Sequence, residues 1–134
     1  MSEVCVRNLA FKAGQTMKVK AAINSDASCF SINIGHSEND LALHFNPRFN
    51  AHGDSHTIVC NSRQGGAWGS EQRESVFPFQ AGETFKVYIT HNNDSFQVKL
   101  PDGNVVTFPN RQGDDMYNYF HMDGNAKFIS IKVD

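Results

Sequence analysis

No stretch of this 134-residue chain approaches the roughly 20 consecutive apolar residues that a helix needs to cross a bilayer, which excludes that class of membrane protein. Runs of lysine or arginine are also missing and the net charge is −2, so the linear pattern recommends neither a nucleic-acid nor a membrane-surface partner. The first residues, Met1-Ser2-Glu3-Val4-Cys5-Val6-Arg7, lack a basic leader followed by an apolar segment, so synthesis in the cytosol without a signal peptide is expected. Three cysteines, Cys5, Cys29 and Cys60, form no CxxC or metal-like spacing. Reduced thiols are the simple reading, with Cys29 and Cys60 in apolar alternation as small core side chains. Convincing amphipathic helices are absent too, and Pro47, Pro78 and Pro109 would each interrupt one longer than a few turns. Asn93-Asp94-Ser95 matches a glycosylation sequon, but a chain outside the secretory route leaves it unmodified, as part of a turn.

Hydrophobic residues make up 40% of the chain and charged residues 19%, which suits a folded globular protein. The length fits a single domain spanning residues 1–134, which buries roughly two-thirds of its unfolded surface. Turn signals punctuate it at fairly regular intervals: Ala13-Gly14, Ser37 to Asp40, Gly53-Asp54, Gly65-Gly66, Ala81-Gly82, His91 to Asp94 and Asp102-Gly103. Between them lie alternating segments such as Phe85-Val87-Ile89. Pro101-Asp102-Gly103 joins Phe96–Leu100 to Val105–Phe108 as the clearest hairpin. Many short strands of even spacing predict an all-β, two-sheet antiparallel sandwich. Val4, Val6 and Leu9 near the start, and Ile129, Ile131 and Val133 near the end, read as terminal strands. They either pair with each other or are covered across a two-fold axis.

The stretch from His44 to Arg73 carries the chemistry. His44, Asn46 and Arg48 alternate with Leu43, Phe45, Pro47 and Phe49, so a strand sends three hydrogen-bonding groups to one face and the apolar set to the other. Asn61, the lone Trp68, Glu71 and Arg73 follow, with Glu71 and Arg73 placed on one strand face by their spacing of two. A neutral pyranose needs donors and acceptors for its hydroxyls and a flat aromatic surface for its C–H face. Two amides, an imidazole, two guanidinium forks, a carboxylate and an indole supply both. Arg48 can pair with Asp54 or Glu71, and Arg73 with Glu71, fixing the side chains before a ligand arrives. Taken singly these residues mean little, since an exposed Trp usually packs and an Arg–Glu pair is usually solvated. His36, His91 and His121 read as solvated or turn residues. His52 and His56, four apart across Gly53-Asp54, do not suit a metal.

His44-Phe45-Asn46-Pro47-Arg48-Phe49, Val59-Cys60-Asn61-Ser62 and Trp68-Gly69-Ser70-Glu71-Gln72-Arg73 together resemble the galectin signature, with no member replaced. Phe77 to Gly82, Leu100 to Gly103 and Phe108-Pro109-Asn110 agree, so the resemblance covers essentially the whole chain. It implies a jelly-roll sandwich of the concanavalin A-like kind and a β-galactoside-binding lectin recognising lactose or N-acetyllactosamine-type glycans. His44, Asn46 and Arg48 would grip the axial 4-hydroxyl of galactose, Asn61 and Glu71 the 6-hydroxyl, and Trp68 would stack on the ring. Arg48 and Glu71, assisted by Arg73, would reach the 3-hydroxyl of the following sugar, while His52 and Asp54 would support Arg48. The family needs no cofactor or metal. Single-domain members of this length are commonly homodimers that cross-link glycoproteins, here through the terminal strands, and they are exported from the cytoplasm to the extracellular space without a signal peptide. Cys5, by its terminal position, is then the thiol expected to oxidise.

Two other classes compete. A glycosidase on a similar sandwich needs two carboxyl groups, one of them kept protonated. Only Asp54 and Glu71 are available, and both are expected beside arginines, which favour the charged form. An intracellular protein-interaction module that ignores sugar is the alternative reading, although nothing in the motif has been lost.

Overall fold

The structure is a computed structural model and describes residues 2–134. Twelve strands follow one another: β1 (Ser2–Lys12), β2 (Thr16–Ile23), β3 (Phe30–Ser37), β4 (Asp40–Ala51), β5 (Asp54–Gln64), β6 (Ala67–Trp68), β7 (Gln72–Glu74), β8 (Thr84–His91), β9 (Ser95–Lys99), β10 (Val105–Pro109), β11 (Met116–Gly124) and β12 (Ala126–Val133). No helix occurs among the described residues. The strands form two antiparallel sheets, one of seven strands in the order β1-β11-β3-β4-β5-β6 with β7 also on β5, the other of five in the order β10-β9-β8-β2-β12. The Pro101-Asp102-Gly103 hairpin joins β9 to β10 as read from the sequence, with Val106 opposite Val98.

Alternation builds the core. Met17, Val19, Ala21 and Ile23 of β2 are buried in turn, as are Phe85, Val87 and Ile89 of β8, and they face Ile32, Leu43, Phe45 and Phe120 of the larger sheet. A knot of aromatic rings lies beneath β4: Phe79 stands edge-on to Phe85 at 5.1 Å, and Phe30 stacks on Phe85 at the same separation. Edge and offset contacts of this kind add stability beyond the area they bury. They give the polar face of β4 and β5 a rigid floor.

One of two alternatives is ruled out and three expectations are corrected. The first and last strands do not pair with each other: β1 lies on β11 and β12 lies on β2, in different sheets, so each terminal strand is a sheet edge. His91 is no turn residue; it is wholly buried among Phe11, Phe96 and Tyr117, its ring nitrogens 3.3 Å from the carbonyls of Phe11 and Asp114. His36 is exposed, as read, with Asp114 at 2.9 Å, whereas His121 is half-buried with Glu3 at 2.7 Å. Cys60 is a core residue whose thiol burial pushes up to about 12, but Cys29 is only half-buried, since it precedes β3 at the rim of the polar face.

Candidate functional site

Strands β4 and β5 are joined by a two-residue turn, His52-Gly53, with Ala51 paired to Asp54. Both turn residues have positive φ, 52° and 82°, the backbone that matches the twist of a tight hairpin. The turn brings Asp54 back beside Arg48. Further along the hairpin, His44 lies opposite Asn61. Short strands β6 and β7 then pair with β5, carrying Trp68 and Arg73 to the same face. Glu71 lies in the segment between them and not within a strand, as its spacing had implied, yet its carboxylate still meets Arg73. A cleft of about 480 Å³ opens over this face, lined by His44, Asn46, Arg48, Asn61, Trp68 and Glu71, with His52 at its edge.

Each polar side chain is held in one orientation. Pro47 has no N–H to give to the neighbouring strand, and Phe30 is the residue across from it; the Phe30 carbonyl accepts instead from Asn46 Nδ2 at 2.8 Å. Asn46 Oδ1 therefore points the other way and accepts from Arg48 Nε at 2.9 Å. Arg48, only 8% exposed, donates from Nη1 to Asp54 Oδ2 at 2.7 Å, and its Nη2 lies 3.9 Å from Glu71 Oε2. Arg73 donates to both oxygens of Asp54, at 3.2 and 3.1 Å, and approaches Glu71 Oε1 at 2.9 Å. Arg73 first, then Arg48, hold the Asp54 carboxyl below the usual carboxylate range, and Asp54 raises Arg73 in return. The result is an alternating chain of charges with little freedom to reorganise.

His44 is fixed from behind. Asn33 is buried and donates through Nδ2 to Ser31 Oγ at 3.1 Å and to the His121 carbonyl at 3.3 Å. Its Oδ1 thus faces His44 and accepts from Nδ1 at 2.5 Å. That assigns the proton to Nδ1 and leaves Nε2 as an acceptor. Burial lowers the His44 pKa to about 4, with Arg48 and Arg63 acting in the same direction against Asp123, so the ring is neutral at pH 7. Asn61 is bound on both ends: Nδ2 donates to the Gly69 carbonyl at 3.0 Å, and Oδ1 accepts from the Ser62 amide at 2.8 Å and from Arg111 Nη1 at 3.3 Å. One amide hydrogen of Asn61 remains for a ligand.

Trp68 is 48% exposed. Arg63 lies 5.1 Å from the centroid of its ring and the His44 ring 4.7 Å away, so the indole is braced rather than buried. Gly69 beside it has no room for a side chain: a Cβ would stand 2.9 Å from Arg111 Nη1 and 3.0 Å from Ser62 Oγ. The hairpin and two short strands bring seven candidate residues, His44, Asn46, Arg48, Asn61, Trp68, Glu71 and Arg73, to one face. Asp54 sits at the centre of the charge chain and His52 at the rim, where it makes no hydrogen bond to Arg48.

Sequence reasoning missed Asn33, Arg111, Ser31 and Asp123. Arg111 comes from the loop after β10, packs over Phe108 at 4.7 Å and donates to Ser62 Oγ at 3.0 Å and the Ser70 carbonyl at 2.9 Å. Ser31 donates to Asp123 Oδ1 at 2.6 Å and both line the cleft. Ser31 and Asn33 lie on β3, and their alternation with Phe30, Ile32 and Ile34 was the available signal.

A hydroxyl-rich, uncharged ligand with one apolar face is what this arrangement can hold: a neutral imidazole acceptor, fixed amides, two guanidinium groups, a carboxylate and an indole plate around one cleft. Comparison with known proteins agrees. The profile of the galactoside-binding lectin family matches residues 3–133, and the chain belongs to that family, the galectins. A beta-galactoside-binding lectin of Electrophorus electricus is 48% identical over 133 residues, covering 99% of this chain and 98% of that protein. Galectin-1 of Ovis aries is 51% identical over 124 residues, 92% of each chain. Among solved structures, the chicken liver homodimeric agglutinin CG-16 superposes with a TM-score of 0.96 at 41% identity, covering 99% of this chain and 100% of that one. The jelly-roll sandwich read from the sequence is the observed fold.

Proposed function

We propose that this chain is a lectin that binds β-galactosides of the lactose and N-acetyllactosamine type in the cleft over β4 and β5, and performs no chemistry on them. The single observation that carries the reading is the fixed tautomer of His44. Its Nε2 acceptor stands beside Asn46 and the Arg48 donors, all immobilised before a ligand arrives. An axial 4-hydroxyl, both donor and acceptor, satisfies this set. An equatorial one leaves it unpaired, at a cost of roughly 1–3 kcal/mol for each buried group. Asn61 and Glu71 then serve the 6-hydroxyl, Trp68 the apolar face of the ring, and Arg48, Glu71 and Arg73 the next sugar. Asp54 acts through Arg48 and Arg73. A glycosidase is disfavoured by Asp54, which its two arginines keep charged and so unfit to act as the protonated acid.

We infer further that two copies associate through the edge strands β1 and β12, which carry apolar side chains, Ile129 being 46% exposed. A shallow disaccharide site gives modest affinity, and two sites on one dimer raise it by roughly 10²-fold on a multivalent surface. A cytosolic origin with export to the extracellular space is part of the same proposal. The test is competition on an immobilised galactoside: lactose elutes the protein, whereas cellobiose, its epimer at the 4-position, does not. Equal elution by both sugars would overturn the reading.

A further inference from the structure

The outer face of the five-stranded sheet, opposite the cleft, collects every lysine of the chain but Lys12: Lys18, Lys20, Lys86, Lys99, Lys127 and Lys132. They alternate with buried residues of β2, β8 and β9, or lie on the edge strand β12, so all six point away from the core. None of the five strands contains an aspartate or glutamate. Among the described residues no carboxylate lies within ion-pair distance of these ammonium groups. Six positive charges on one face of a chain of net charge −2 leave the remainder acidic. The molecule is strongly polarised from one face to the other.

The register sharpens this. Lys18 lies directly opposite Lys132 on one side and Tyr88 on the other, with Lys99 next to Tyr88 in the same row. Lys20 lies directly opposite Lys86. Like charges in directly opposed positions destabilise a sheet, and here strands stand only about 4.8 Å apart. Two such pairs, with no counter-charge, are a feature the fold tolerates and does not require.

We propose that this face docks electrostatically on an anionic phospholipid surface. The lysines are spread over the breadth of the sheet, and the cleft that opens on this face beside Lys86, Tyr88 and Lys99 holds only two of the six, so the charges are not gathered along a single groove that a linear polymer would follow. All six cations are lysines. A face built to grip individual phosphates or sulfates of a polymer favours arginine, whose fork binds them bidentately; lysine acts as a point charge, and its long stem reaches a surface of mobile headgroups. Tyr88, 38% exposed within the lysine row, has the amphipathic ring that suits the headgroup level, and Val105, 54% exposed, adds an apolar contact on the same face. Nothing inserts into the bilayer, in keeping with the absence of any apolar span. Because the two outer faces of the sandwich point in opposite directions, a docked molecule keeps its galactoside cleft turned away from the lipid.

The test is co-sedimentation of the whole chain with vesicles of phosphatidylcholine alone and of phosphatidylcholine with about 30% phosphatidylserine, near 0.1 M salt. Binding is expected only to the serine-containing vesicles, lost at about 0.5 M salt, and unchanged by saturating lactose. Each face lysine removed weakens it about fivefold, so Lys20→Gln with Lys86→Gln weakens it about 25-fold while lactose affinity stays the same. Lys99→Gln with Lys132→Gln does the same should the first pair fold poorly. Lys12→Gln, which removes one positive charge away from this face, has little effect against the roughly fivefold loss expected for a single face lysine. Absence of serine-dependent binding overturns the proposal, as does an equal loss in Lys12→Gln. Retention on immobilised heparin without any vesicle binding would assign the face to a sulfated polymer and overturn it as well.

Discussion

Acidification gives the sharpest view of the site, because His44 is neutral in the fold where a free histidine would begin to charge. Its pKa falls from an ordinary value of 6.5 to about 4. Above pH 6.5 folded and unfolded chains both hold it neutral, and the fold keeps its full stability from this group. Between pH 6.5 and 4 the unfolded chain takes up a proton that the folded chain refuses, so stability falls as pH falls. Each pH unit across that window removes up to about 1.4 kcal/mol, about 3 kcal/mol in all, and below pH 4 this group contributes no further loss. Sugar binding follows the folded value: Nε2 remains an acceptor at pH 5, and lactose affinity weakens steeply only near pH 4. Urea unfolding of the wild type and His44→Gln at pH 7, 6, 5 and 4 measures the first effect, since the difference between their slopes isolates this residue from other titrating groups. The imidazole carbon shift of His44 by NMR measures the pKa directly. A His44 that titrates near 6.5, or identical pH slopes for the two proteins, would refute the assignment of a half-buried, neutral ring donating from Nδ1 to Asn33.

Other substitutions probe the supports. Arg111→Ala should weaken lactose binding severalfold with little change in stability, because it releases the Asn61 carbonyl; calorimetry checks this, and unchanged affinity would show that Asn61 needs no brace. Phe45→Ala should cost about 3–5 kcal/mol by chemical denaturation, as expected for a wholly buried ring over the aromatic knot. Alkylation of the native protein should label exposed Cys5 rapidly and leave Cys60 unmodified, as peptide mass spectrometry would show; early labelling of Cys60 would contradict its burial.

Much of this molecule was legible in the sequence, and the residues show why. The binding strand β4 could be read because alternation has one meaning there: apolar positions go down to Phe30 and Phe79, polar ones go up. Turn residues marked most strand ends, Pro101-Asp102-Gly103 above all, while Gly53-Asp54 placed the β4–β5 turn one residue late, since His52-Gly53 form it and Asp54 opens β5. What escaped depends on contacts between distant segments. Asn33 and Arg111 are ordinary residues until β3 and the loop after β10 place them behind His44 and Asn61. His91 looks like a turn residue because its neighbours are polar; only the packing of Phe11, Phe96 and Tyr117 makes it core. The lysine face was hidden for the same reason. Its members are scattered over four strands, at most two to a strand and never adjacent, so no run of positive charge exists until the sheet aligns them.

The central claim is that one preorganised cleft per chain holds a galactoside. Calorimetric titration of the reduced, folded protein with lactose, with sucrose as control and Trp68 fluorescence followed in parallel, tests it most directly. Saturable binding of one lactose per chain is predicted, with a change in the Trp68 signal and no response to sucrose. A folded protein that leaves lactose unbound would contradict the account and turn attention to the protein-interaction reading of the same surface.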